Sequence, residues 1–289
     1  MRDLWRDLVF GWRTLTHSKV FTAVAIVTIA LAIGPNTTIF SLFYGTLLQQ
    51  VPYPDGERLV VVWGHTRGAR LLVPGDHYEA YKEQSTSFES LGGNRDIRFN
   101  LAIDNDYEEA LGSSMTPSLP ATFKAWGLQM GREFLPEETK EGNNRVVILN
   151  HRLWMERFHS DPNILGKQLN FDGQAYTVVG VRAAGPTDRM GEQFQVPMTP
   201  TAAAMGVVTF GRLKPGVTRE RAESELSAIT RHVIEEQPGR IPKDWTVSVE
   251  PLKADFVSAN VRRNLWLMMG TVVFVLLIAC ANVALFCFY

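Results

Sequence analysis

The chain has 289 residues, with 29 lysines and arginines against 30 acidic residues, a formal net charge of -1 and a mean hydropathy of -0.05. That balance supplies no basic surface for a phosphate backbone, which argues against a nucleic-acid binder. The averaged hydropathy hides two long uncharged apolar stretches on either side of a polar middle, and these set the class of the protein.

From the N-terminus, residues 4 to 15 carry Leu4, Trp5, Leu8, Val9, Trp12 and Leu15 on one helical stripe, with Arg2, Arg6, Asp7 and Arg13 mostly opposite. The spacing predicts an amphipathic helix within residues 1–19, lying in the inner interface with membrane lipids as its partner and Trp5 and Trp12 as anchors. Val20 to Pro54 contains no charged residue, and its apolar part exceeds the ~20 residues needed to cross a bilayer core. A first transmembrane helix is therefore expected over residues 20–48, and a second over residues 264–289, where Asn264 to Tyr289 is again uncharged. Arg2, Arg6, Arg13 and Lys19 ahead of the first span place the N-terminus in the cytoplasm, so residues 49–263 should lie outside, in a periplasm. A cleaved signal peptide competes, since Ala30-Leu31-Ala32 has the small-x-small form. The apolar run continues through Ile39 to Phe43, however, well past an h-region of about 7 to 15 residues. Cys280 and Cys287 both fall in the second span and form neither a disulfide framework nor a C-x-x-C pair.

The middle of the chain reads as α+β. Leu59 to Trp63 is a strand, Asp76 to Gln84 a short helix and Val146 to Leu149 a second strand, followed by a helix His151 to Phe158 that Asn150 can cap. Asp172-Gly173 between Gln168–Phe171 and Gln174–Val181 signals a type I′ hairpin, with Leu169 opposite Tyr176 and Leu169, Phe171, Tyr176 and Val178 on one buried face. A strand at Val207 to Leu213 leads through Lys214-Pro215-Gly216 into a helix capped by Thr218, where Ala222, Leu226, Ile229 and Val233 recur at helical spacing. Thr246 to Leu252 closes the domain as a strand beside Leu59 to Trp63. One lobe is expected from about 56–114 with 205–255 and another from about 115–204, and residues 56–255 should fold as a soluble fragment.

Motifs for chemistry are lacking. No G-x-x-x-x-G-K-[ST] loop or strand-joined G-x-G-x-x-G is present, so the chain is expected to carry no ATPase of its own. The six histidines show no metal-ligand spacing, Asp76-His77 are helix neighbours that point apart, and no serine sits in G-x-S-x-G. Glu137-Glu138 and Glu235-Glu236 read as solvated charges. Neither catalytic residues, a metal nor a cofactor is expected. The informative residues are those within the spans: Gly34, Pro35, Asn36 and Asn282, because a helix breaker or a polar side chain in lipid needs a compensating partner. For each Asn the plainer role is an interhelical hydrogen bond that holds a bundle, and the alternative is a moving part.

Four segments in order carry a family resemblance: Ala32 to Ser41, Val51-Pro52-Tyr53-Pro54 with Arg58-Leu59-Val60, Gly211 to Thr218, and Phe274 to Ala284. They resemble the MacB/FtsX-type ABC transporter permeases, and within them the duplicated orphan permease branch. The resemblance implies a periplasmic core domain of two subdomains between the first two of four transmembrane helices. It implies mechanotransmission driven by a separate cytoplasmic ATPase, and a homo- or hetero-dimer in the inner membrane. Pro35 departs from the pattern's usual small residue, and the match stops at Ala284, so an N-terminal portion or truncated product is expected. A membrane-tethered extracytoplasmic binding or scaffold module, or a non-transporting remnant, is the alternative.

Overall fold

The computed structural model describes residues 30, 33–34, 37–41, 43–44, 53–103, 106–125, 127–185, 191–237, 241–242, 244–256 and 259–287. The chain divides into two units, Val51–Asp255 and Met1–Gln50 with Phe256–Tyr289.

The larger unit is built on one sheet of 11 strands among the described residues. Its strands are β1 (Leu59–Thr66), β2 (Ala69–Leu71), β3 (Phe88–Ile103), β4 (Asp106–Met115), β5 (Leu128–Gly131), β6 (Val146–Leu149), β7 (Gln168–Phe171), β8 (Gln174–Arg182), β9 (Phe194–Pro197), β10 (Val208–Leu213) and β11 (Thr246–Pro251). They run in the order β11-β1-β10-β3-β4-β9-β6-β8-β5, with β2 on β1 and β7 bridging β3 and β8. The helices of this unit are α1 (Gly75–Gln84), α2 (Leu119–Phe123), α3 (His151–Phe158), α4 (Pro200–Ala204) and α5 (Arg219–Glu236), and α6 (Leu252–Phe256) follows β11.

Alternation along β1 sends Val60 and Val62 to one face and Leu59 and Val61 to the other, all at most 1% exposed. The first face, with Val247 and Val249 of β11, is covered by Tyr78 and Tyr81 of α1 and by Ala222, Leu226, Ile229 and Val233 of α5. That is the helical stripe expected from the sequence, and each fully buried aliphatic contributes roughly 1.5–3 kcal/mol. Thr218 caps α5 by accepting from the Arg221 amide at 3.3 Å. Tyr81 and Thr230 join α1 to α5 through a 2.6 Å hydroxyl pair. A second core fills the far end of the sheet, where Leu149, Leu153, Trp154, Phe171, Val178 and Phe194 pack together. Within it the Asp172-Gly173 turn has φ of 49° and 78°, the positive values a type I′ turn needs, and Leu169 does pair with Tyr176.

Four local expectations change. The β3–β4 hairpin, 16 and 10 residues long, is the longest pairing in the sheet and was not expected, because its polar stretches mask the alternation of Ile97, Phe99, Leu101 and Ile103. Asn150 occupies the cap position of α3 without capping it; its amide donates instead to the Glu192 carbonyl. Glu138 is not solvated, since its carboxylate takes two bonds from Arg132, at 2.9 and 2.6 Å, and one from the Leu135 amide at 2.8 Å. His77 and Asp76 do not point apart: His77 Nδ1 lies 3.1 Å from Asp76 Oδ1, and the ring is buried between Tyr81 and Trp245.

In the smaller unit, residues 33–34 and 37–41 are helical and α7 (Ala259–Cys287) runs for 29 residues. Phe43 is buried edge-on against Trp266 with ring centres 5.1 Å apart. Thr37 donates to the Ile33 carbonyl at 2.9 Å, Thr38 to Gly34 at 3.2 Å and Thr271 to Leu267 at 3.0 Å, so each hydroxyl is satisfied inside its own helix. Among the residues described with their side chains, no helix is long and apolar enough to cross a membrane.

Candidate functional site: a stapled base and the cleft beside it

The segment Gly211 to Thr218, singled out in the sequence, is explained almost residue by residue. Gly211 sits where a Cβ would meet the Phe88 ring at 2.5 Å, Leu213 is core, and Gly216 turns the chain with φ of 77° before the Thr218 cap. Arg212 is the unusual member. Alternation along β10 puts it on the face of Val208 and Phe210, toward an apolar cluster, and its side chain is 0% exposed. Its guanidinium donates to the carbonyls of Pro54 (2.9 Å), Asp55 (3.4 Å), Thr122 (2.8 Å) and Phe123 (3.2 Å). Burial lowers its pKa, and the neighbouring Arg58 adds to the effect while Glu89 and Asp55 oppose it.

The same cluster gathers both ends of the larger unit. Tyr53, at its start, and Leu252, at its end, pack with Leu119, Phe123 and Met115. The Tyr53 and Phe123 rings meet edge-on at 4.8 Å, and Phe123 meets Phe210 at 5.1 Å. Around the rim Arg58 pairs with Asp55 at 2.7 Å and Glu89 at 3.0 Å, and Lys124 with Glu89. Hydrogen bonds from Arg58 and Lys124 hold Asp55 and Glu89, respectively, below the usual carboxylate range. A second buried guanidinium, Arg182 on β8, binds Glu133 on both oxygens and Gln195 at 2.6 Å, tying the β8 and β9 strands to the segment before Pro136.

Beside this base lies a cleft of about 550 Å³. Asp76, Tyr78, Glu79 and Lys82 of α1 line it together with Thr116, Pro117 and Ser118 ahead of α2 and with Met198, Thr199, Pro200, Ala203 and Ala204. Three of its hydroxyls meet at Ser118, which lies 3.2 Å from Thr116 and 3.5 Å from Tyr78, while Thr139 donates to the Pro136 carbonyl and Thr199 accepts from the Ala202 amide. Burial raises the Tyr78 pKa. A mixed apolar and hydroxyl lining of this size can hold a ligand or a partner's loop, and it sets no nucleophile beside a base. Elsewhere His65 lies 2.8 Å from Ser248, but Glu250 meets the serine and not the imidazole, so the order of a triad is missing there. Among the described residues no group of three or more His, Cys, Asp or Glu could hold a metal ion.

Of the residues proposed from sequence, Gly34 is helical with open space around it. Pro35, Asn36, Trp5 and Trp12 lie outside the described residues, and Asn282 is on the α7 backbone with its side chain outside them. Sequence reasoning missed Arg212 and the cleft. The signal for Arg212 was a lone cation in period-two register with Val208 and Phe210, in a stretch already read as a strand.

Residues 22–229 match the family described as the MacB-like periplasmic core domain. No curated protein matches the chain. Three solved structures share the fold. The periplasmic region of MacB from Actinobacillus actinomycetemcomitans aligns with a TM-score of 0.51 at 15% identity, covering 66% of this chain and 88% of that one. A domain of a protein named as a permease from Porphyromonas gingivalis gives 0.55 at 18%, covering 70% and 92%. The extracellular domain of the noncanonic ABC-type transporter YknZ from Gram-positive bacteria gives 0.51 at 12%, covering 65% and 98%. With the family match spanning most of the chain and the same fold in these outer regions, the chain belongs to the MacB-like periplasmic core domain family, found in ABC transporter permeases of the MacB/FtsX type.

Proposed function

We propose that the chain is part of an ABC-type permease subunit of the duplicated orphan branch, held in the inner membrane with its N-terminus cytoplasmic. In this reading its α+β domain lies in the periplasm between transmembrane helices at residues 20–48 and 264–289. A separate cytoplasmic ATPase drives it as a mechanotransmitter within a homo- or hetero-dimer. The observation that carries the proposal is the convergence of Tyr53 and Leu252 in one packed cluster. The two segments that connect by sequence to the apolar helices enter the outer domain at one place, so movement of those helices acts on a common base. The α7 surface supports a lipid setting, with Trp266, Leu267, Phe274 and Leu277 all at least 60% exposed. Its 29 residues extend for about 43 Å at 1.5 Å per residue, more than a bilayer core of about 30 Å.

The test is nucleotide-dependent accessibility of the cleft in native membranes. Glu79→Cys is labelled from outside with an impermeant maleimide, with and without vanadate-trapped ATP. Mechanotransmission predicts a labelling rate that changes with the nucleotide state. A rate that is the same in every nucleotide state would favour the tethered scaffold.

A further inference from the structure

We infer that Arg212 is a positioning residue: it fastens one wall of the cleft to the entry segment of the outer domain, so that the position of residues 53–55 sets the cleft's width. Its donors leave in two directions. Nη1 reaches the Pro54 and Asp55 carbonyls in the entry segment, whereas Nε and Nη2 reach the Thr122 and Phe123 carbonyls at the end of α2. The nearest carboxylate oxygen, on Asp55, is 4.0 Å away, so carbonyl dipoles do most of the work of stabilising the charge. A planar fork holds two chain segments at once with donors in fixed directions on three separate nitrogens, whereas a lysine offers rotatable donors on one.

At its other end α2 continues from the cleft wall. Thr116, Pro117 and Ser118 line the cleft and lead directly into this five-residue helix. The helix rests on β3 at Gly92, where a Cβ would stand 2.6 Å from the Leu119 Cα. There α2 packs through Leu119 and Phe123 into the base cluster, and the Ser90–Thr122 hydroxyl pair at 2.7 Å and Arg212 add its polar ties. The opposite wall is fixed differently. α1 is bound to α5 through Tyr81 and Thr230, and its Gly75 abuts the Ala203 backbone, where a Cβ would stand 2.8 Å away. Both walls therefore rest on the sheet, but only the α2 wall is also tied through Arg212 to the entry segment, and a short helix passes a small displacement along its length.

The functional weight of this staple rests on the permease reading, but its geometry does not, and the test uses no ATPase, so the two can fail separately. The full chain, with Cys280 and Cys287 replaced by Ser, is placed in lipid nanodiscs. Nitroxides at Glu79→Cys and Ala121→Cys report the α1–α2 distance by pulsed dipolar spectroscopy. A control pair at Met155→Cys and Gln174→Cys reports the far end of the sheet. Arg212→Lys is expected to broaden the α1–α2 distribution and shift it to longer distance while the control pair stays unchanged. Tyr53→Ala, which loosens the entry segment, is expected to shift the α1–α2 pair when Arg212 is present and to add nothing in the Arg212→Lys background. If Arg212→Lys does not fold, the Tyr53→Ala arm alone decides. An α1–α2 distribution that neither substitution moves, or one that moves only together with the control pair, overturns the proposal.

Discussion

A soluble fragment that begins at Gly56 should be measurably less stable than one that begins at Val51, although the two differ by only five residues. The shorter fragment loses Tyr53, 7% exposed in the base cluster, and the Pro54 and Asp55 carbonyls that accept from Arg212. Burial of the Tyr53 side chain is worth about 1.5–3 kcal/mol and its ring contact with Phe123 about 0.5–1.5 kcal/mol. The hydrogen bond from the Arg212 guanidinium to Pro54 adds about 1.5–3 kcal/mol. Against this, ordering residues 53–55 costs about 1–2 kcal/mol each in backbone freedom. The balance is a loss of about 1 kcal/mol, which at a urea dependence of about 2 kcal/mol per molar moves the midpoint by about 0.5 M. Urea titrations of 51–255 and 56–255, followed by circular dichroism, measure this directly. Tyr53→Ala in the longer fragment should reproduce the whole shift, because the side-chain share above exceeds the net balance and residues 53–55 are then no longer worth ordering. Coincident midpoints for the two fragments would refute the claim that the entry segment is an integral part of the base.

Glu133→Ala should cost more than Arg182→Met in the same titration, by about 1–2 kcal/mol, because it removes the carboxylate partner of a guanidinium that is 1% exposed, whereas Glu133 is 35% exposed and rehydrates. Gly211→Ala should destabilise by about 1–3 kcal/mol, since its Cβ meets a ring that strand packing holds in place. Burial opposes ionisation of Glu225, but hydrogen bonds from Ser87 and Thr86 outweigh it and depress its pKa, so its contribution is full above the unfolded carboxylate value and fades as pH falls through the folded one. The stability difference between wild type and Glu225→Gln should therefore shrink between about pH 5 and pH 3. Glu192 carries the opposite sign: its carboxyl is enclosed although the residue keeps some exposure, and burial raises its pKa against bonds from Ser113 and Gln195. Glu192→Gln should consequently stabilise the domain at pH 8 and have little effect at pH 4, as thermal melts at the two pH values will show.

What could be read from the sequence followed from local rules that tertiary structure left intact. Asp172-Gly173 specifies its own turn, and the turn fixes the register that brings Leu169 opposite Tyr176. Thr218 and the stripe from Ala222 to Val233 specify α5 in the same way, through a cap and a periodicity. The β3–β4 hairpin was hidden because its inward residues, Phe99 and Leu101 among them, alternate with Arg98 and Asn100 in a stretch of low mean hydropathy. Buried polar groups were the other blind spot. Arg212 and Glu138 look like surface residues by type, and each is buried because its partners come from chain geometry, at separations of up to 158 residues for Arg212 and Pro54, while His77 is buried with Nδ1 on the adjacent Asp76 and no partner at Nε2 among the described residues. The cleft lay beyond the sequence for a similar reason: its walls come from α1, α2 and α4, which no local pattern brings together.

The central claim, that this domain stands outside the membrane between two apolar helices, is tested most directly by paired topology reporters. A reporter inserted at Gly142, which is exposed with open space around it, is expected to read outside. One fused after Tyr289 is expected to read cytoplasm, because the proposed topology puts the N-terminus inside on the lysine and arginine residues before Phe21 and returns the chain by two crossings. Reporters that read the same compartment at both positions would contradict the account.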